Sequence, residues 1–131
     1  MSSRFTRTFT ALAEHIDVMG HVNNAVWVQW MEAIATAHWQ AVASPDHQDA
    51  YVWVVTRHEI DYRGNIRKGE TATAETFIED RPNGARFDRC VVFRNAAGKA
   101  IVSAKSTWAM IDRHSGRVLR VPEEVVAPFL A

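Results

Sequence analysis

The sequence predicts an α+β fold in which one long helix is enclosed by a curled antiparallel sheet. Two observations lead to this fold class. One helical segment near the start of the chain is apolar on most of its circumference, so it needs cover on nearly every side. The later segments are rich in β-branched and aromatic residues and are separated by turn signals. One helix followed by hairpin-linked strands is a layered α+β arrangement.

The first predicted element is a strand. Residues 5–12 alternate between a face that carries Phe5 and Phe9 and a face of threonines. This period of two is typical of a strand with one buried face. A loop from Asp17 to Asn24 follows and leads into the helix.

The helix is predicted to run from Asn24 to Ala43. Asn23 or Asn24 suits the N-cap position, and Ser44-Pro45 ends the helix. Its polar residues fall three or four apart on one narrow stripe, which consists of Gln29, Glu32, Thr36 and Gln40. Nearly every other position is apolar, and in so short a chain only a sheet wrapped around the helix can cover that surface.

Four long strands are predicted after the helix, at Tyr51 to Tyr62, Thr71 to Glu79, Arg86 to Arg94 and Lys99 to Ile111. Glycine-containing turn signals separate them, at residues 64–65, 82–84 and 95–98. A further turn at residues 114–116 leads into a short last strand around Arg117 to Val121. The strands supply the sheet that the helix requires.

The composition narrows the classes of protein. The 131 residues form one ordinary domain, 1–131, with 15 basic and 15 acidic residues. This balance of charges does not indicate a basic surface for binding nucleic acid or an anionic membrane. The single cysteine, Cys90, allows no internal disulfide, and no signal peptide or membrane-spanning run is evident. We therefore expect a cytoplasmic location.

The loop before the helix carries the most chemistry. It reads Asp17-Val18-Met19-Gly20-His21-Val22-Asn23-Asn24 and places a carboxylate, an imidazole and two carboxamides at a helix start. A helix start offers unpaired backbone N–H groups and a positive dipole end. A carboxylate beside such donors can attack a carbonyl, or activate water to attack it, while the donors hold the oxyanion. We expect the active site here.

This octapeptide resembles that of the hotdog-fold acyl-CoA thioesterases of the 4-hydroxybenzoyl-CoA thioesterase type. The resemblance extends from about Arg4 to Pro128. Later segments that match in order are Glu59–Tyr62 through Lys68–Glu70, Trp108–Asp112 and Gly116–Glu124. It implies hydrolysis of an acyl- or aryl-CoA thioester to free acid and CoA, without a cofactor or metal ion.

The resemblance also implies roles for residues of the loop. Asp17 would be the nucleophile or general base, and the backbone N–H of Asn24 would hold the oxyanion. Gly20 would let the backbone adopt a positive φ or approach the ligand closely. His21 would take part in the chemistry, as in the plant acyl-carrier-protein thioesterases that share His-Val-Asn-Asn, or would only tie the loop together. Asn23 would orient the substrate or cap the helix.

Substrate-binding residues are expected outside the loop. Relatives carry Tyr at the position of Trp27, which would alter the acyl pocket, and an acidic residue at the position of His15. The phosphates of CoA would need surface cations near turns, and the candidates are Arg63, Arg67, Lys68, Arg86 and Arg89. A solvated charged surface is the alternative for each of them.

The family's assembly implies at least a homodimer, and a homotetramer is possible. Residues around Arg57 to Arg63 of the partner's second strand would face Asp17. A helix too apolar for a small monomer supports this expectation.

Three other functions fit a hotdog domain: an acyl-carrier-protein thioesterase, a non-catalytic acyl-thioester binder, and a hydratase. Asp17 argues against a mere binder, and the Asp/His motif of the hydratases is absent. Cys90 has no adjacent base, and neither a Gly-x-Ser-x-Gly elbow nor metal-ligand spacing occurs.

Overall fold

The computed structural model of the chain describes residues 3–130. The strands are β1 (Arg4–Thr10), β2 (Tyr51–Tyr62), β3 (Thr71–Phe77), β4 (Arg86–Arg94) and β5 (Ala100–Asp112). The helices are α1 (Asn24–Val42), α2 (Pro45–Ala50) and α3 (Glu123–Leu130). The α+β architecture predicted from the sequence, a long helix with a curled antiparallel sheet, is confirmed.

The five strands form one antiparallel sheet in the order β1-β3-β4-β5-β2. The register aligns residues of β4, β5 and β2 in rungs across the sheet. One such rung is Phe87, Trp108 and Val55, and a second, two residues further along β4, is Arg89, Ser106 and His58. Since directly opposed residues share a face, each rung presents its side chains on the same side of the sheet.

Helix α1 begins at Asn24, as predicted, and ends one residue before the predicted Ala43. The Asn23 side chain caps it, and the predicted polar stripe of Gln29, Glu32, Thr36 and Gln40 is exposed. Seven other residues of the helix are buried, among them Trp27, Ile34 and His38. The sheet therefore covers the apolar surface of α1 and leaves the polar stripe open.

The buried side chains form two clusters along α1. The first lies at the N-terminal half of α1, where Trp27 and Trp30 meet Phe9 and Phe93. The second lies at the C-terminal half, where Phe87 and Met110 meet Phe129 of α3. The two halves of the helix therefore contact different parts of the sheet.

Two segments differ from the prediction. Pro45 does not simply end α1, because Ser44 caps a new helix in which Pro45 is among the first residues, where proline is favoured. The last strand expected at Arg117 to Val121 is absent from residues 3–130. Only Val118 forms a β-bridge, with Ile111, and the chain continues into α3. The sequence prediction missed α3, which buries Val125, Val126 and Phe129 in the second cluster.

Among residues 3–130, no helix is both long enough and apolar enough to cross a membrane.

Candidate active site

The loop before α1 is held in a tight turn by its own backbone. The Asp17 N–H donates to the His21 carbonyl at 2.8 Å, and the Gly20 N–H donates to the Asp17 carbonyl at 3.0 Å. Gly20 has φ 79°, a value that L side chains rarely adopt, so the positive φ expected of this glycine is observed. A bridge between Ile16 and Val22 closes the base of the turn.

The Asp17 carboxylate is half-buried and uses only one of its oxygens within the loop. Its Oδ1 accepts the Met19 N–H at 2.9 Å and the His21 N–H at 3.2 Å. Its Oδ2 has no hydrogen-bond partner among residues 3–130. The carboxylate is thus oriented by two backbone donors and has one oxygen free for a ligand or water.

The start of α1 supplies a free donor beside this loop. The Asn23 Oδ1 accepts the Ala25 N–H at 2.9 Å, and the Asn23 carbonyl accepts the Val26 N–H at 2.9 Å. No acceptor within the described part of the chain takes the N–H of Asn24. The helix start therefore leaves Asn24 as the unpaired backbone donor, and the side chain of Asn23 is occupied by the cap.

Sequence reasoning missed Asn65, which fixes the loop from the other side. Its Oδ1 accepts the Val22 N–H at 3.1 Å, and its Nδ2 donates to the Val22 carbonyl at 3.2 Å. A carboxamide can pair with both backbone groups of one residue because it carries a donor and an acceptor. The signal in the sequence was an Asn directly after a glycine at a strand end, where we had predicted only a turn.

The two histidines of this region differ in their contacts. The Nδ1 of His15 accepts the Leu12 N–H at 2.9 Å, and its ring meets Trp30 edge to face at 5.3 Å. The imidazole of His21 makes no hydrogen bond to any residue between 3 and 130. His15, which stands where relatives carry an acid, therefore has a structural contact, whereas His21 is bound to the loop through its backbone.

The predicted cations do not form one group. Arg63 and Arg86 are exposed, at the end of β2 and the start of β4, as expected of surface residues. The Arg67 guanidinium lies over the loop, since a Cβ on Gly20 would be 3.4 Å from its Nη1. The prediction of Arg89 as a surface cation near a turn is wrong. It lies within β4 with 8% of its surface exposed, because its side chain points to the inner face of the sheet.

Trp27 lies in the core, which corrects its assignment to an acyl pocket. It has no exposed surface and packs edge to face against Trp30 at 5.2 Å and Phe93 at 5.0 Å. Its side chain fills the space between α1 and the sheet, and it borders neither the cavity beside Trp39 nor the cleft beside Arg86.

A second polar group, also missed, lies on the inner face of the sheet. The Nδ1 of His58 is 2.6 Å from the Ser106 hydroxyl, and its Nε2 is 3.8 Å from Glu32 of α1. The same rung ends at Arg89, which bonds His38. Ser106 is buried, with 2% of its surface exposed.

Cys90 is half-buried in β4. The expectation that no base lies beside it is wrong, because the Glu79 carboxylate contacts it. Its Sγ donates to Glu79 at 3.0 Å. Burial, and then the neighbouring Glu79 carboxylate, raise the pKa of the thiol to about 12. A thiol with so high a pKa is a poor nucleophile at neutral pH.

Comparison with known proteins identifies the family. Residues 2–129 match the model of the family described as "Acyl-ACP thioesterase N-terminal domain". The chain belongs to this acyl-ACP thioesterase family. The match covers nearly the whole chain, and the narrower resemblance to the 4-hydroxybenzoyl-CoA thioesterase type is not confirmed.

Individual relatives are distant. The chain is 29% identical to a chloroplastic palmitoyl-acyl carrier protein thioesterase of Gossypium hirsutum over 82 residues, which are 60% of this chain and 20% of that protein. The structure also aligns with that of an acyl-ACP thioesterase from Bacteroides thetaiotaomicron, with a TM-score of 0.83 and 23% identity. The alignment covers 98% of this chain and 54% of that one. A hypothetical protein of Staphylococcus aureus in complex with CoA is 17% identical, with a TM-score of 0.85, over 98% of this chain and 82% of that one.

These similarities establish the hotdog fold for this member of the acyl-ACP thioesterase family. The chain spans about a fifth of the curated relative and about half of the Bacteroides structure. Most of the curated relative and about half of the Bacteroides structure therefore lie outside the aligned region. The activity of a relative is not assigned to this chain from similarity of fold alone.

Proposed function

We propose that this chain hydrolyses an acyl thioester, with Asp17 as nucleophile or general base and the Asn24 N–H as donor to the oxyanion. One observation carries the proposal. At the junction of the loop and α1, an oriented carboxylate has a free oxygen and the helix start has a free backbone donor. Acyl transfer needs these two parts, a nucleophile or base and an oxyanion donor.

Because the leaving group of a thioester is a thiolate, a carboxylate and one oxyanion donor are enough for its hydrolysis. A thiol has a pKa of about 8.5, so the thiolate departs without a general acid. Asp17 would attack the thioester carbon directly and form an anhydride that water then cleaves, or it would take a proton from the attacking water. In both routes the C–S bond breaks, and a free acid and a thiol are formed. Losing one oxyanion donor typically costs a factor of ~10²–10³ in rate.

The carrier of the acyl group is proposed from the family. An acyl carrier protein is favoured because the family model that matches residues 2–129 is that of acyl-ACP thioesterases. CoA is the second candidate, because one structural neighbour was solved in complex with it. The exposed Arg63, and Arg67 over the loop, would bind phosphate of either carrier. Comparing one acyl group on both carriers, by thiol release, separates the two.

The experiment on mechanism substitutes Asp17→Asn. The Asn Oδ1 can still accept the N–H groups of Met19 and His21, so the turn should persist while the base is lost. We expect kcat to fall by ~10²–10⁴, with the denaturation midpoint unchanged. Asp46→Asn, an exposed carboxylate of α2, is the matched control and should keep full activity. If kcat of Asp17→Asn is within a few-fold of the parent value, the Asp17 carboxylate is not catalytic and the proposed mechanism is wrong.

We also propose that the active protein is at least a dimer that pairs through β2. This strand is an edge of the sheet, is 12 residues long, and exposes 46% of Val54 and 41% of Tyr62. Val18 and Met19 at the tip of the loop are 102% and 72% exposed. A long apolar edge strand is a template for pairing with a second chain. Sedimentation of a stable monomer at micromolar concentration would contradict this assembly.

A further inference from the structure

A cavity lies at the opposite end of α1 from the candidate active site. It measures about 300 Å³, the lower end of the range for small-molecule sites, and is open on one side. Its walls are mostly apolar and come from α1, α2, α3 and the sheet, and the large aromatic side chains among them are Trp39, Trp53, Phe87, Trp108 and Phe129. Trp39 is 15 residues along α1 from Asn24. At 1.5 Å per residue this is about 22 Å from the helix start.

Two arginines line this cavity, Arg89 and Arg113, and of the two only Arg89 is buried. Its Nη1 donates to the Nδ1 of His38 at 2.7 Å and to the Thr76 hydroxyl at 3.0 Å. Burial, and then the Arg89 charge, lower the pKa of His38 to about 4, so its imidazole is a neutral acceptor at pH 7. The His38 Nε2 then donates to the Ser3 hydroxyl at 3.1 Å. Both partners of the guanidinium are therefore neutral.

The charge of Arg89 has no carboxylate to balance it. No acidic side chain between residues 3 and 130 forms an ion pair with it. Burial lowers its pKa to about 10, so it remains a cation at neutral pH. A buried charge is normally paired, because removing it from water without a counter-charge is costly.

Arg89, which lines the cavity, keeps donors that no residue between 3 and 130 uses. Its Nε and Nη2 have no acceptor in the described chain. They are also not among the sealed, unpartnered atoms, which are the indole nitrogens of Trp27, Trp53 and Trp108. The sealed indole nitrogens of Trp53 and Trp108 have no surface open to the cavity, so a ligand there does not reach them. The unmet hydrogen bonds that a ligand in the cavity can satisfy are therefore those of Arg89, and they require an acceptor.

We propose that this cavity binds a carboxylic acid with an apolar body, an alkyl chain or one aromatic ring, whose carboxylate pairs with Arg89. A carboxylate matches two parallel guanidinium donors and supplies the missing single negative charge. The aromatic walls bury the apolar body. A phosphate dianion would need a second free cation, and Arg113, the other arginine of the wall, is exposed and donates its Nε and Nη2 to the carbonyls of Asp49 and Gln48.

The ligand has two possible sources. It is either a free acid or the distal carboxylate of a dicarboxylic acyl group that is still attached to its carrier. The second source rests on the proposed function, whereas the first does not. Binding measured on the Asp17→Asn variant is independent of catalysis, so that failure of the thioesterase proposal and failure of this one are distinguishable.

The test is a titration of the purified protein, followed by tryptophan fluorescence and by calorimetry. Octanoate and 4-phenylbutanoate are compared with their uncharged amides, which keep the apolar body. We expect each acid to bind at least about tenfold more tightly than its amide, the difference of a charge-assisted pair. Arg89→Met should abolish this preference while leaving amide binding unchanged. Arg94→Met, an exposed arginine of the same strand, is the matched control and should keep it.

Two further measurements address the folding of the Arg89 variant and the source of the ligand. Should Arg89→Met not fold, Arg89→Lys keeps the cation without the paired donors, and the acid should then bind several-fold less tightly. Hydrolysis of suberoyl against octanoyl thioesters identifies the source. An Arg89-dependent preference for suberoyl indicates a distal carboxylate, and its absence together with octanoate binding indicates a free acid. Equal affinity for acid and amide, or an unaltered preference in Arg89→Met, would overturn the proposal.

Discussion

The two ends of α1 assemble their polar groups in opposite ways. At the N-terminal end, the candidate active-site groups belong to eight consecutive residues, and Asp17 binds N–H groups only two and four residues away. At the C-terminal half, His38 and Arg89 are 51 residues apart and are brought together by the register of the sheet. The first group is ordered by local turn geometry and the second by tertiary packing, and only the first leaves a recognisable pattern in the sequence.

The ends also differ in how tightly they are packed. Around Trp27 the aromatic rings of Trp30 and Phe93 meet at close range, and Trp27 has no exposed surface. Around Trp39 the rings of Trp53 and Phe129 enclose the cavity instead. The packed end can hold a loop rigidly, and the hollow end has room for a ligand.

The largest effect that this difference predicts concerns stability. Trp27→Ala should lower the free energy of unfolding by about 3–5 kcal/mol, because it leaves a void in a packed core. Trp39→Ala should cost only about half as much, since one side of that ring already borders empty space. Denaturant titrations of both variants measure the two losses. Equal losses would mean that the cavity is filled in solution, by a ligand or by rearranged side chains.

A second prediction uses pH to separate the buried His38 from the exposed His114. Burial, then the Arg89 charge, lower the folded-state pKa of His38 from 6.5 to about 4. In this window the unfolded chain takes up a proton that the folded chain does not, so stability is full above pH 6.5 and falls toward pH 4. The loss from this group is at most about 3 kcal/mol.

The variant that isolates this component is His38→Gln, which can still accept a hydrogen bond from Arg89. Between pH 6.5 and pH 4 the parent should lose more stability than this variant, because only the parent carries the titrating imidazole. His114→Gln, at an exposed position, is the control and should follow the parent. Parallel pH curves for the parent and His38→Gln would show that His38 is not held neutral.

A third prediction tests how the N-terminal end is held from outside the loop. Asn65→Leu would leave the Val22 carbonyl without its side-chain donor, whereas the Val22 N–H keeps the Ile66 carbonyl as an acceptor at 3.3 Å. The loss of the buried carbonyl's partner should cost about 1–3 kcal/mol. Since Val22 lies between Asp17 and Asn24, thioester hydrolysis should fall as well. Asn95→Leu removes two similar bonds, to Ala97 and Lys99, in a distant hairpin. It should lower stability without changing kcat, and a matching loss of kcat in both variants would remove the special role of Asn65.

The comparison also explains what the sequence could predict. The ends of β2 and β4 and the start of α1 agree with the prediction, because long periodic segments and an Asn cap are local signals. Helix α3 was missed because its eight residues include Pro128 and its helical state depends on burial of Phe129 against α1 and the sheet. Asn65 and Arg89 were misjudged for the same reason. Each forms hydrogen bonds with residues distant in sequence, and the local sequence around each of them does not predict those partners.

The smallest predicted effect concerns His21. Its backbone N–H binds Asp17 Oδ1 at 3.2 Å, whereas its imidazole has no hydrogen-bond partner within residues 3–130. His21→Ala retains the backbone contact, so kcat should fall by less than about tenfold, equivalent to about 1.4 kcal/mol. The measurement is kcat for His21→Ala and Asp17→Asn with one substrate, together with the pH dependence of the parent. If His21→Ala loses as much activity as Asp17→Asn, and the parent loses activity below the pKa of an imidazole, then His21 takes part in the reaction and the loop holds two reacting groups instead of one.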